Sequence, residues 1–128
     1  MTYQRFILID DNEADNVFHE IMIRRAGFAG EILIFECGPD ALAFFEQDGL
    51  SVPTCIFLDI NMPMMDGFET AERATPMLID KPSVLLLMLT SSGSPADRER
   101  AASLPVIQGY VTKPLDVPTV QDLMANGA

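Results

Sequence analysis

Five short segments rich in consecutive apolar residues limit the possible folds of this chain more than any other feature of its sequence. Apolar runs of this length, bounded by polar or turn-forming residues, are typical of strands that are buried on both faces of a sheet. We therefore predict five strands, at Phe6–Ile9, Glu31–Cys37, Cys55–Leu58, Val84–Leu89 and Val106–Val111.

The segments between these strands have the spacing and punctuation of helices. After the first strand, apolar residues recur at helical spacing until Gly27 ends the pattern, namely Ala14, Val17, Phe18, Ile21 and Met22. Turn-forming residues and prolines mark four further helices: Ala41–Gln47 after the turn Gly38–Asp40, one starting near Gly67, one from Pro95 to about Ser103, and Pro118–Asn126. Strands that alternate with helices predict an α/β fold, a doubly wound five-stranded parallel sheet with helices on both faces.

Composition and charge exclude several classes of protein. The 128 residues suit one domain, spanning 1–128. A net charge of −11, with only eight scattered Lys and Arg residues, argues against nucleic-acid binding. The longest apolar stretch, Val84–Leu89, is too short to cross a membrane. Cys37 and Cys55 lie in apolar runs and suggest no disulfide framework, so we expect a cytoplasmic protein.

Polar side chains that could bind a ligand or take part in a reaction follow four of the five predicted strands. Asp10 and Asp11 follow the first strand, Asp59 the third, Thr90 the fourth and Lys113 the fifth. Ligands of doubly wound sheets bind beyond the carboxyl ends of the strands, so we expect these side chains to meet at one edge. Carboxylates ~4 Å apart repel by roughly 4 kcal/mol per pair at an effective dielectric near 20, and a hard cation such as Mg²⁺ would offset this.

A carboxylate at such a site that is not consumed as a metal ligand can attack phosphorus. Lys113 would supply a compact positive charge to the phosphoryl oxygens, and Thr90 a hydroxyl donor. The residues therefore favour phosphoryl chemistry at this edge of the sheet.

Four sequence stretches carry a resemblance to a known family. They are Ile7-Leu8-Ile9-Asp10-Asp11-Asn12, then Phe57-Leu58-Asp59-Ile60-Asn61-Met62-Pro63-Met64-Met65-Asp66-Gly67, Leu89-Thr90-Ser91, and Tyr110-Val111-Thr112-Lys113-Pro114-Leu115. Together they resemble the receiver domains of two-component response regulators, and the second stretch is the most specific. The resemblance covers nearly the whole chain and implies the flavodoxin-like strand order 2-1-3-4-5, which is a known order for this family.

The resemblance also implies a role for each matching residue. Asp59 would be the phospho-acceptor, and Lys113 would contact the phosphoryl group, with a cis peptide bond before Pro114. Thr90 and Tyr110 would form the conformational switch. Mg²⁺ would be held by the carboxylates of Asp10, Asp11 and Asp59 and by the backbone carbonyl of Asn61.

For partners, the resemblance implies a sensor histidine kinase or phosphotransfer protein as phosphoryl donor, and a downstream protein target. The switched face would span helix 4, strand 5 and helix 5. Because the last predicted helix is short, we expect a monomer or a weak, phosphorylation-promoted dimer.

Two other functions can be weighed against this one. A small Mg²⁺-dependent phosphatase would need a second acid two residues after the nucleophile, where this chain has Asn61. Flavin binding would need a Ser/Thr-rich phosphate loop where Asp10 and Asp11 stand. We therefore expect a signalling switch rather than an enzyme.

Two features of the first helix are interpreted as ordinary surface. His19 is expected to be a surface or boundary residue. Glu13, Asp15 and Glu20 are expected to form a solvated acidic face, although such a face could also meet a kinase.

Overall fold

A single parallel sheet organises the computed structural model, which describes residues 2–91 and 93–126. The five strands are β1 Arg5–Ile9, β2 Glu31–Phe35, β3 Thr54–Leu58, β4 Val84–Thr90 and β5 Gly109–Thr112. The five helices are α1 Glu13–Arg25, α2 Gly38–Asp48, α3 Gly67–Leu78, α4 Pro95–Ala102 and α5 Val117–Ala125. The strand order is β2-β1-β3-β4-β5, which confirms the predicted fold class. Within the described ranges, no helix is long and apolar enough to cross a membrane.

The core lies on both faces of the sheet because successive strand side chains point to opposite sides. On one face, Ile7 and Ile56 pack with apolar residues of α2, α3 and α4. On the other, Phe6 and Phe57 pack with apolar residues of α1 and α5. The central strands β1 and β3 are buried along their whole length, which explains their apolar runs Phe6–Ile9 and Cys55–Leu58.

Three predicted boundaries were wrong. The second strand ends at Phe35, and Cys37 is instead the N-terminal cap of α2. The predicted turn Gly38–Asp40 is the first turn of that helix, where proline is tolerated because the first amides have no intrahelical acceptor. The fifth strand begins at Gly109 rather than Val106, because the chain first forms a turn in which the Ile107 amide donates to the Leu104 carbonyl.

The orientation of α1 also differs from the simplest reading of its apolar spacing. Val17, Phe18 and Ile21 are exposed, whereas Asn16 and His19 are buried. The side-chain amide of Asn16 donates to the backbone carbonyl of Asp10 at 2.8 Å, which turns this polar side of the helix towards the end of β1. The prediction that His19 is a surface or boundary residue was therefore wrong.

Candidate functional site

The carboxyl ends of the central strands bring the predicted site residues together. Register pairs Ile9 with Leu58 and Leu58 with Met88, so β1, β3 and β4 end at nearly the same level. Asp10, Asp11 and Asp59 each offer a carboxylate oxygen, and these oxygens lie within 4.8 Å of one another.

Asp59 is buried directly after β3 and is fixed through its backbone. Its amide donates to the Ile9 carbonyl at 2.9 Å, while the Gly67 amide donates to the Ile60 carbonyl at 2.8 Å. A Cβ atom at Gly67 would collide with the Asp59 carbonyl oxygen, so only glycine allows the start of α3 to approach this closely. Burial and then the neighbouring charge of Asp10 raise the pKa of Asp59 to about 6.

Asp10 and Asp11 are adjacent in sequence but lie in different surroundings. Asp10 is buried, and both of its carboxylate oxygens accept hydrogen bonds: Oδ1 from the Asn12 amide at 2.9 Å, and Oδ2 from Lys113 Nζ at 2.7 Å. Asp11 is exposed. Asn12 caps α1 by accepting from the Asp15 amide at 3.0 Å, so the helix starts immediately beside the acidic pair.

Lys113 contacts two of the three clustered carboxylates, those of Asp10 and Asp59. Its backbone amide donates to the Thr90 carbonyl at 2.8 Å, and the peptide bond to Pro114 is cis. Its Nζ lies 3.3 Å from Asp59 Oδ1, in addition to the contact with Asp10. Burial opposes the charge on Lys113, but hydrogen bonds to Asp10 and Asp15 outweigh it and raise the lysine's pKa.

Asp15 is a site residue that the sequence reasoning missed. Its Oδ2 accepts a hydrogen bond from Lys113 Nζ at 2.9 Å, so it is not part of a merely solvated acidic face. The available signal was its place in the first helical turn after Asn12, next to the end of β1.

Thr90 and Tyr110 are near each other at the ends of β4 and β5. Thr90 is fully buried, and its side chain is hydrogen-bonded with that of Tyr110. Burial raises the pKa of Tyr110, and the Arg98 guanidinium carbon lies 5.4 Å from the centre of its ring. Asn61 is exposed two residues after Asp59, in the loop between β3 and α3.

The donor set of the cluster fits a hard divalent cation. Asp10, Asp11 and Asp59 offer only oxygen ligands, which suit Mg²⁺ rather than a soft metal. Lys113 offsets part of this negative charge through its contacts with Asp10 and Asp59, and a cation would relieve the remaining repulsion among the three carboxylates.

Comparison with known proteins places the chain in a family. The response regulator receiver domain family matches residues 6–125. The chain therefore belongs to the receiver domains of response regulators, and the resemblance of its motifs is confirmed.

Individual relatives are similar along most of the chain. It is 32% identical over 120 residues to the probable methanogenesis regulatory protein FilR2 of Methanothrix harundinacea, covering 85% of this chain and 71% of that protein. It is 27% identical to the chemotaxis protein CheY of Halobacterium salinarum, and the match covers 96% of this chain and 95% of that protein. A receiver protein structure from Dyadobacter fermentans superposes with a TM-score of 0.84 at 27% identity, covering 95% of each chain.

Proposed function

We propose that the chain, over residues 1–128, is a phospho-acceptor switch of a two-component phosphorelay and that Asp59 receives the phosphoryl group. The observation that carries the proposal is the meeting of three carboxylates with Lys113 at the strand ends of a receiver domain. Asp59 is the member of the cluster that follows the central strand β3 and lies in the most specific motif.

The chemistry follows from the charges around Asp59. An ionised Asp59 oxygen attacks the phosphorus of a phosphohistidine; the new O–P bond forms as the P–N bond breaks, and the imidazole nitrogen leaves with the electron pair. Lys113 neutralises charge on the phosphoryl oxygens, and the Thr90 hydroxyl donates to one of them. Mg²⁺, held by Asp10, Asp11, Asp59 and the Asn61 backbone carbonyl, would supply further charge neutralisation when bound.

The phosphorylated form is expected to persist because the position two residues after Asp59, where phosphatases have a second acid, holds no acid in this chain. Asn61 stands two residues after Asp59, and an amide cannot transfer protons as a general base. Hydrolysis should therefore be slow, which suits a signalling switch in the cytoplasm rather than an enzyme with rapid turnover.

The first helix offers a surface for the phosphoryl donor, a histidine kinase or a phosphotransfer protein. Val17, Phe18 and Ile21 form an exposed apolar stripe on α1, the helix that starts beside Asp11. Exposed apolar side chains grouped in this way are typical of protein interaction sites. A donor that packs on this stripe would bring its phosphohistidine close to Asp59.

Output is proposed to run from Thr90 to the face formed by α4, β5 and α5. When Thr90 turns towards the phosphoryl group, its hydrogen bond with Tyr110 is lost. Tyr110 then changes its contact with Arg98 of α4, and the altered face regulates a downstream protein. With α5 only nine residues long, this face supports a monomer or a weak, phosphorylation-promoted dimer.

Incubation with acetyl phosphate and Mg²⁺ tests the proposal without a cognate kinase. Intact-protein mass spectrometry should show one added phosphoryl group in the wild type and none in Asp59→Asn. Undiminished labelling of the variant would refute the assignment of Asp59. Rapid multiple-turnover release of phosphate would instead support a phosphatase.

A further inference from the structure

We infer that Asp15 is a positioning residue that tethers the Lys113 ammonium and thereby limits how strongly this site holds a phosphoryl group. The inference rests on the proposed function of Asp59 as phosphoryl acceptor, and it adds a regulatory element to that site. It comes from a contact across the helix–strand boundary between α1 and the end of β5.

The distances around Lys113 show which carboxylates hold it. Nζ donates to Asp10 Oδ2 at 2.7 Å and to Asp15 Oδ2 at 2.9 Å, whereas Asp59 Oδ1 lies at 3.3 Å. An ammonium group has three N–H donors, and the two shortest contacts go to Asp10 and Asp15. Lys113 is thus bound more closely by these two residues than by Asp59.

Asp15 differs from the other carboxylates because it lies outside the candidate metal cluster. The oxygens that lie within 4.8 Å of one another belong to Asp10, Asp11 and Asp59. A cation in that cluster would engage Asp10 as well as Asp59, and would leave the Asp15 carboxylate available to Lys113. The competition of Asp15 for the ammonium would therefore persist when the cation is bound.

The backbone of Asp15 is fixed, while its side chain can exchange one partner for another. Its amide donates to the Asn12 side chain at the start of α1, which anchors the residue in the first turn. Its side chain is 39% exposed, against 13% for Lys113, so water can solvate the carboxylate when the ammonium turns away. The tether is therefore breakable, but breaking it costs the energy of a partly exposed ion pair.

A phosphoryl group on Asp59 needs the same ammonium as its counter-charge. Removing the Asp15 carboxylate should therefore favour the phosphoryl-bound state. We expect Asp15→Asn and Asp15→Ala to bind beryllium trifluoride, an anionic tetrahedral analogue of a phosphoryl group on a carboxylate, about three- to fivefold more tightly than the wild type.

The experiment is a titration with beryllium and fluoride at saturating Mg²⁺, followed by NMR. Glu13→Gln is the matched control because Glu13 is exposed in the same helical turn and the substitution removes the same charge. Its affinity should match that of the wild type. In a Lys113→Ala background, Asp15→Asn should produce no further gain, since the effect acts through the lysine.

The inference would be overturned if both Asp15 variants bound the anion as weakly as the wild type or more weakly. An equal gain in Glu13→Gln would also overturn it, because the cause would then be net charge rather than the tether. A gain in affinity that persists in the Lys113→Ala background would likewise overturn the inference. If the wild type itself does not bind the anion, or if Asp59→Asn binds it equally well, the proposed function fails instead.

Discussion

Replacing Asp59 by Asn should stabilise this protein when no divalent cation is present. Burial and the charge of Asp10 raise the pKa of Asp59 from its ordinary 3.8 to about 6. The folded state therefore favours the protonated acid more than the unfolded state does. This contribution to stability is fully present below pH 3.8 and is lost as the pH rises through about 6.

The size of the effect follows from the shift. A rise in the pKa from 3.8 to about 6 corresponds to about 3 kcal/mol in the free energy of unfolding at neutral pH, and to about half of that near pH 5. The attraction of Lys113 for Asp59 is already contained in the raised pKa, so it is not subtracted again. Mg²⁺ should narrow the difference in stability between the two proteins, since the wild type has one more carboxylate to bind it and would be stabilised more than the amide variant.

Urea unfolding followed by far-ultraviolet circular dichroism suits this test, because the chain contains no Trp. With a chelator present, Asp59→Asn should gain stability at about pH 7.5 and roughly half as much at about pH 5. Glu72→Gln removes a charge from an exposed position of α3 and should change little. If the variant is no more stable than the wild type at neutral pH, or gains equally at both pH values, then an ionised Asp59 does not destabilise the folded state in this way.

Four further outcomes follow from the same site. Asp11→Ala should weaken Mg²⁺ binding more than Asp10→Ala does, because both oxygens of Asp10 accept hydrogen bonds within the protein and Asp11 is exposed. A Mg²⁺ titration in which the two variants lose equal affinity, or Asp10→Ala loses more, contradicts this. Lys113→Ala should weaken beryllium trifluoride binding more than Mg²⁺ binding, because a protonated ammonium cannot be a metal ligand. If paired titrations show the opposite pattern, Lys113 does not act as the counter-charge of the phosphoryl group. Burial and then the charge of Lys113 lower the pKa of His19, so its contribution to stability is present above pH 6.5 and is lost on acidification. The wild type should therefore lose more unfolding free energy than His19→Gln between about pH 7.5 and about pH 5, and parallel losses would argue against it. Gly67→Ala should cost about 1–3 kcal/mol through overpacking against the Asp59 carbonyl, and an unchanged thermal midpoint would refute that clash.

Much of the fold could be predicted because the central strands are buried on both faces. Phe6–Ile9 and Cys55–Leu58 are apolar at every position, so their strands and the polar residues that follow them are plain in the sequence. The start of α3 at Gly67 was equally clear, since Asp66 caps it by accepting from the Glu69 amide. Local signals of this kind located the central strands and the start of α3.

The orientation of α1 could not be predicted, because a tertiary contact decides it. The apolar spacing of Val17, Phe18 and Ile21 predicted the helix, yet the helix turns these side chains outwards. The hydrogen bond from Asn16 to the Asp10 carbonyl links the opposite side of the helix to β1. That link buries His19, whose Nδ1 has no hydrogen-bond partner within the described residues.

The orientation of α1 also explains why the contact of Asp15 with Lys113 was not predicted. In sequence, Asp15 is one acid among several in the first half of α1, and its place in the first helical turn is shared by Glu13. Its contact with Lys113 joins residues 98 positions apart, so only the assembled sheet and helix reveal it. Polar residues on a helix that borders a strand-end cluster therefore need to be considered with that cluster.

Chemical trapping of the phosphorylated residue identifies the phospho-acceptor directly. After reaction with acetyl phosphate and Mg²⁺, borohydride reduces an aspartyl phosphate to homoserine, and peptide mass spectrometry locates the converted position. We expect conversion at Asp59 alone, and its loss when Mg²⁺ is chelated. Conversion at Asp10, Asp11 or Asp15 would show that Asp59 is not the acceptor, and conversion that is unaffected by chelation would show that Mg²⁺ is not required.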